Sequence, residues 1–218
     1  MIHDTPGLER IRISSVDPHE IDEEFIETVT SLPRVCRHLH IPAQAGDDDV
    51  LLLMRRRNSV AEFRDVVAKV RERIPDVAIT TDIIVGFPGE TAERFENTVA
   101  FCEEMQFSKI HVFPYSRRKG TLAERLPDHV PEEEKEARVQ RLIAVSDASS
   151  LAFHKRLVGS TVDVLVEGNH DEREGYVEGL TDTYVRVYFP GDASLSGSIV
   201  PVRVTDAVSS HVVGVQVT

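Results

Sequence analysis

VAITTDIIVGFPGET, residues 77–91, decides the fold of this chain. Residues 77–85 are nearly all apolar or β-branched, the mark of a strand covered on both faces, as in a parallel sheet. Gly86-Phe87-Pro88-Gly89 then makes a loop, and Thr91 stands where a helix N-cap is needed for a helix reaching about Met105. The glycines let a ligand approach the backbone, and the helix start offers free N–H groups to it. A tight βα turn without a ligand uses the same residues, so the two readings stand level.

The same alternation extends on both sides. Residues 10–16 (RIRISSV) read as a strand ended by Asp17-Pro18. Residues 20–32 carry Ile21, Phe25, Ile26, Val29 and Leu32 at helical spacing, and Pro33 follows. Residues 38–42 (HLHIP) predict a short strand, and Gln44-Ala45-Gly46 a turn. One of Asp47, Asp48 or Asp49 caps a helix carrying Val50, Leu51, Leu53 and Met54. Ser59 with Glu62 forms a capping-box signature for a helix to about Ile74. Residues 109–113 (KIHVF) predict a further strand. Strands alternating with helices imply parallel strands and right-handed crossovers. Polar residues and glycines gather just after the strands: Ser14-Ser15, Gln44, Gly86 to Glu90, Tyr115-Ser116. In α/β folds that edge carries the chemistry.

Residues 131–157 break the alternation. Pro131 and three glutamates start a helix, Val139, Leu142, Ile143 and Phe153 stripe it, and basic residues before Gly159 end it. The boundary is expected here, giving domains 1–156 and 157–218. Beyond it lie five short strand patterns punctuated by Gly168-Asn169, Gly191-Asp192 and Gly197, which predict a small antiparallel barrel of the OB or SH3-like kind.

Composition bounds the function. The chain has 218 residues, 28% of them charged and 41% hydrophobic, with a net charge of −12. That balance argues against a single large basic face for nucleic acid, though Arg55-Arg56-Arg57 and Arg117-Arg118-Lys119 are local basic clusters. No stretch nears the ~20 apolar residues of a spanning helix, and the N-terminus does not read as a signal peptide, so a cytoplasmic, membrane-free protein is expected. Two cysteines, Cys36 and Cys102, cannot by themselves build a disulfide scaffold, a cluster or a zinc site. Both read as core residues. His38 and His40 share a strand face, but no third ligand is near them in sequence, and His111 invites the same caution. They are expected to line a barrel interior, with no metal site. No Walker loop, dinucleotide fingerprint or nucleophile elbow is present, and no catalytic residue is assigned.

Four blocks in order carry a resemblance: RIRISSVDP (10–18), HLHIPAQAGDDDVLLLMRRR (38–57), ITTDIIVGFPGET (79–91) and FSKIHVFPYSRRKGT (107–121). Together they resemble the radical S-adenosylmethionine (SAM) methylthiotransferases. GSTVDVLVEG and GYVEGLTDTYVRVYFP resemble the TRAM domain that ends those enzymes. The resemblance implies an α/β fold: the second half of a partial (β/α)6 radical SAM barrel with parallel strands, then an OB-like TRAM barrel. FSKIHVFPYSRRKGT looks most like the branch that methylthiolates carbon 2 of N6-threonylcarbamoyladenosine in tRNA. Isopentenyladenosine tRNA or a ribosomal protein as substrate, and a non-catalytic RNA-binding module, are the alternatives. The family's cluster-binding cysteine triplets are not in this sequence, so both 4Fe-4S clusters are expected outside the chain, which alone is expected to be inactive.

By the same resemblance, SAM contacts fall on Ser14, Ser15, Gln44, Ile84, Gly86, Phe87, Pro88, Phe113, Pro114 and Tyr115. The two basic clusters and Arg186 are expected to meet tRNA. Two further expectations concern assembly. The sheet edge beside residues 10–16 should self-associate or be covered by a terminal segment. The barrel, with three arginines and nine acids over 160–218, should bind tRNA poorly by itself, with Tyr184 and Tyr188 on one strand face.

Overall fold

The computed structural model describes residues 2–169 and 173–217. Two of the barrel's acids, Asp171 and Glu172, lie outside the described residues.

Helix α1 (Glu23–Ser31) starts where the Asp22 carboxylate accepts from Phe25 N, and it buries Ile26 and Val29. β1 (His38–His40) leads through a loop to α2 (Asp48–Leu53), capped by Asp47. α3 (Val60–Arg73) begins with the full Ser59–Glu62 capping box. β2 (Ala78–Val85) is followed by α4 (Ala92–Met105), capped by Thr91, and then β3 (Lys109–Pro114). The three strands are parallel in the order β1-β2-β3.

The strand expected over 10–16 is instead an extended segment that meets β1's side of the sheet at two bridges, Ile11 with Val35 and Ser15 with His40. The reason lies in its arginines. Arg10 donates to Leu180 O (2.8 Å) and Asp163 O (2.7 Å), and Arg12 donates to Thr181 O (3.1 Å). These side chains tie the segment to the C-terminal barrel, and regular pairing gives way to that tether.

Strand register sorts the side chains. Leu39, Ile79, Ile83 and Ile110 are buried with Phe63, Phe101 and Phe107 in the core under the helices. The three phenylalanines pack edge to face with centroids 5.5 to 6.1 Å apart, the preferred aromatic geometry. On the opposite face His40 meets Thr80, Asp82 pairs with His111, and Ile84 with Phe113.

α5 (Glu132–Lys155) lies along the free edge of β3. Ser146 Oγ accepts from Ile110 N (3.0 Å), and Ser149 and Ser150 donate to the carbonyls of Phe107 and Ser108. Serine hydroxyls thus stand in for a fourth strand, a cover for an edge that would otherwise template association.

The C-terminal unit is a closed barrel, order β4-β5-β6-β8-β7, from β4 (Thr161–Asn169), β5 (Tyr176–Thr181), β6 (Arg186–Pro190), β7 (Ile199–Ala207) and β8 (Val212–Gln216). Val164, Val177, Val187, Phe189, Val202 and Val212 fill it, each fully buried. Tyr184 departs from expectation. It stands in the turn before β6 with φ +64°, so it does not share a strand face with Tyr188. Its ring sits 4.9 Å from His38 and under the Arg12 guanidinium at 4.3 Å, at the junction of sheet and barrel.

Candidate functional site

The expected SAM contacts gather at the C-terminal ends of the strands. Ile84 and Phe113 are register partners on the face away from the helices, Ile84 half-buried and Phe113 50% exposed. Two apolar side chains side by side on an open face suit a flat ring. Ser14 and Ser15 are exposed hydroxyls beside β1. Gln44, buried and with φ +71°, extends the sheet past Pro42: its N donates to Asp82 O and its O accepts from Ile84 N, at 2.8 and 2.9 Å. Pro114 ends β3, exposed. Tyr115 N donates to Val85 O (2.8 Å), its ring packs edge to face on Phe87 at 5.1 Å, and its hydroxyl is buried with no partner among the described residues.

The Gly86–Glu90 loop is built differently from the expectation. Its N–H groups are not free. Gly86 N and Phe87 N both donate to the Glu90 carboxylate, which folds back under the loop. Gly86 has φ +72°, and a Cβ there would fall 2.1 Å from Lys135 Cγ. A left-handed turn and the packing of α5 against it are enough to require the glycine. Phe87 and Pro88 are buried, so the pair facing the open side is Ile84 and Phe113.

Glu90 is 4% exposed and faces Arg138, itself 5% exposed, at 3.4 Å. Arg138 also donates to Glu90 O (2.8 Å), bonds Glu134 and lies over the Phe95 ring. Burial pushes the Glu90 carboxyl up, while Arg138 and the two backbone N–H groups pull it back. Lys135, also buried, donates to Tyr115 O (3.3 Å), so that carbonyl already has a partner. Glu90, Lys135 and Arg138 were not among the expected site residues. A signal existed: Lys135 and Arg138 continue the 3–4 spacing of Leu142 and Val145, the buried stripe of α5.

Deeper on the open face, side chains from all three strands touch. Thr80 Oγ1 lies 3.1 Å from His38 Nε2 and 2.9 Å from His40 Nδ1. His40 Nε2 lies 3.3 Å from Asp82 Oδ2, and the His40 and His111 rings are 5.7 Å apart. Burial, then the charge of Arg12, brings the His38 imidazole down to about 4, so it is neutral at pH 7. Burial also lowers His111. The third group that the sequence did not place near His38 and His40 comes from β2 and β3. Cys102, wholly buried, has its thiol pushed up to about 12, and Cys36 is buried and raised too, which fits core roles.

The basic clusters flank the loop. Arg55, Arg56 and Arg57 are exposed just after α2, whose Leu53 packs against Gly89. Arg117, Arg118 and Lys119 are exposed just after Tyr115, and the segment they open returns to bond Gly89 N through Asp128 O (3.0 Å). Arg186 does not behave as a free cation: it is bound by Glu178 at 2.7 Å and Glu167 at 3.6 Å. Its expected role in meeting tRNA is weakened by that neutralisation.

A parallel sheet with its open face at the strand ends, followed by a closed five-strand barrel, defines a class. Residues 3–102 match the model of the Radical SAM superfamily, and residues 155–210 match that of the TRAM domain. The chain carries radical SAM sequence joined to a TRAM domain. Its curated relatives are tRNA methylthiotransferases. The tRNA-2-methylthio-N(6)-dimethylallyladenosine synthase of Acetivibrio thermocellus is 41% identical over 93% of this chain and 42% of its own length. The threonylcarbamoyladenosine tRNA methylthiotransferase MtaB of Bacillus subtilis is 41% identical over 92% of this chain and 45% of its own. The chain thus spans less than half the length of these relatives. Among solved structures, coproporphyrinogen III oxidase (HemN) of Escherichia coli, a radical SAM enzyme, aligns with TM-score 0.54 at 23% identity over 64% of this chain and 32% of that one. That likeness supports the fold alone. Among the described residues no helix is long and apolar enough to cross a membrane.

Proposed function

We propose that this chain forms the substrate-facing half of a radical SAM methylthiotransferase that modifies carbon 2 of N6-threonylcarbamoyladenosine in tRNA. The observation that carries the reading is the relatedness to tRNA methylthiotransferases, which runs through both units in one order over 92–93% of the chain. The relatives named for the two adenosine substrates match equally well, at 41% identity. The choice of threonylcarbamoyladenosine rests on the FSKIHVFPYSRRKGT stretch, whose SRRK follows the strand end at the mouth of the site.

The residues present fit SAM. Ile84 and Phe113 would pack against the purine, the exposed Ser14 and Ser15 hydroxyls lie further down the sheet, at the His40 level, and the buried Tyr115 hydroxyl is a polar group awaiting a partner. Bound with a reduced 4Fe-4S cluster, SAM supplies radical chemistry. The two cysteines, both buried, do not make a cluster site, so the clusters are assigned outside this chain. Alone, it is inactive in this reading. Its own residues shape the open face, exclude water with Ile84 and Phe113, and hold tRNA phosphates with Arg55–Arg57 and Arg117–Lys119. The outer side of residues 10–16 is the surface through which this chain alone self-associates, a point for sedimentation.

Deleting the gene and analysing tRNA nucleosides by mass spectrometry tests the substrate. Loss of 2-methylthio-N6-threonylcarbamoyladenosine supports the reading. Loss of the isopentenyl counterpart instead moves the enzyme to the other branch.

A further inference from the structure

Three neighbouring strands each bring one metal-binding side chain to the same point of the open face: His40 from β1, Asp82 from β2 and His111 from β3. One ligand atom from each lies within 4.8 Å of the others. We propose that His40, Asp82 and His111 bind a divalent transition-metal ion of the zinc class. This inference does not rest on the function proposed above.

The geometry is close to what such an ion needs. Zinc holds nitrogen and carboxylate oxygen at about 2.0–2.2 Å, which in a tetrahedron separates neighbouring ligand atoms by about 3.3–3.5 Å. His40 Nε2 and Asp82 Oδ2 already stand 3.3 Å apart. His111 has to close by up to about 1.5 Å, which a rotamer change of its exposed side chain can supply. The support behind the first ligand is in place too. Thr80 Oγ1, 2.9 Å from His40 Nδ1, turns the ring so that Nε2 faces Asp82, as outer hydrogen bonds do for ligating histidines.

The hydrogen bonds allow the ligating tautomer. Thr80 Oγ1 has two lone pairs and can accept from both His38 Nε2–H and His40 Nδ1–H, which leaves its own O–H without a partner among the described residues. His38 Nδ1, buried with no partner among the described residues, is then a bare acceptor and not a stranded donor. That arrangement leaves His40 Nε2 unprotonated against a carboxylate oxygen, two lone-pair atoms that a cation between them satisfies. The other tautomer makes an ordinary His40–Asp82 hydrogen bond, and the experiment separates the two.

Two imidazoles and a carboxylate are a borderline donor set that suits zinc, cobalt or iron(II), and three protein ligands leave a further position for water or a substrate atom. Asp82 and His111 precede Ile84 and Phe113 by two residues, so the ion sits about 6.6 Å along the strands from the apolar pair, on the same face of the sheet.

Untagged protein, stripped with chelator, is titrated with Co2+ and followed by its visible absorption, then displaced with Zn2+. The expected result is a saturable tetrahedral Co2+ spectrum that is lost in His111→Ala and in Asp82→Asn. Thr80→Val weakens binding by about 10–100-fold. His111 is exposed and Asn is isosteric with Asp, so both first variants keep the fold, as circular dichroism verifies. No saturable spectrum, or one unchanged in both variants, overturns the site and leaves an ordinary His–Asp pair.

Discussion

At the scale of single residues, the decisive pair is Glu90 and Arg138. The carboxylate fastens two N–H groups of the Gly86 loop, and the guanidinium neutralises it from α5. Removing one partner of a buried ion pair strands the other charge, at a cost of about 3–5 kcal/mol. Arg138→Met should lower unfolding stability by that amount in urea titrations, and a loss under about 1 kcal/mol would show that water reaches Glu90. His38 gives the pH dependence. Its imidazole titrates near 4 when folded, against about 6.5 unfolded. Between those values the unfolded chain binds the proton and the folded one does not. Stability is therefore intact above pH 6.5 and falls as pH drops toward 4, by about 3 kcal/mol in all. His38→Gln, measured in chelator, should flatten that slope, and an unchanged slope would move the cause to other histidines.

At the scale of elements, the loop between β2 and α4 shows what sequence can carry. Strand, loop and N-cap were all legible, because each depends on neighbours within a few residues: an apolar run, Gly and Pro, Thr91 before Arg94 N. The reason for Gly86 was not legible, because the obstacle is Lys135, 49 positions on. Gly86→Ala combines a left-handed turn costing about 1–2 kcal/mol with displacement of Lys135. It should destabilise by at least about 1 kcal/mol in thermal melts, and no change would mean the loop adopts another conformation freely. Residues 10–16 failed for the same long-range reason. Alternation marked them as a strand, but Arg10 and Arg12 bond to carbonyls of Asp163, Leu180 and Thr181, more than 150 positions away. The three-sided group of His40, Asp82 and His111 was likewise invisible until register aligned its strands.

At the scale of the whole molecule, the net charge of −12 and the proposed RNA contact are reconciled by placement. The barrel's Arg186 is paired with acids, whereas Arg55–Arg57 and Arg117–Lys119 stand exposed around one loop. Replacing Arg117, Arg118 and Lys119 with alanine should reduce the slope of log K against log salt for tRNA binding by about 2–3, at about 0.7–0.9 for each phosphate no longer neutralised. An equal slope would place the RNA elsewhere on the surface. On the proposed function, the open strand-end face of this chain is the working surface of a tRNA methylthiotransferase. The most direct test of that reading is to complement a deletion strain with the intact gene, either unaltered or carrying Ile84→Asp, and to measure 2-methylthio-N6-threonylcarbamoyladenosine in tRNA. The account predicts that the unaltered gene restores the nucleoside and that Ile84→Asp does not, although the variant protein accumulates and still shifts tRNA in a gel. Full restoration by Ile84→Asp would contradict it.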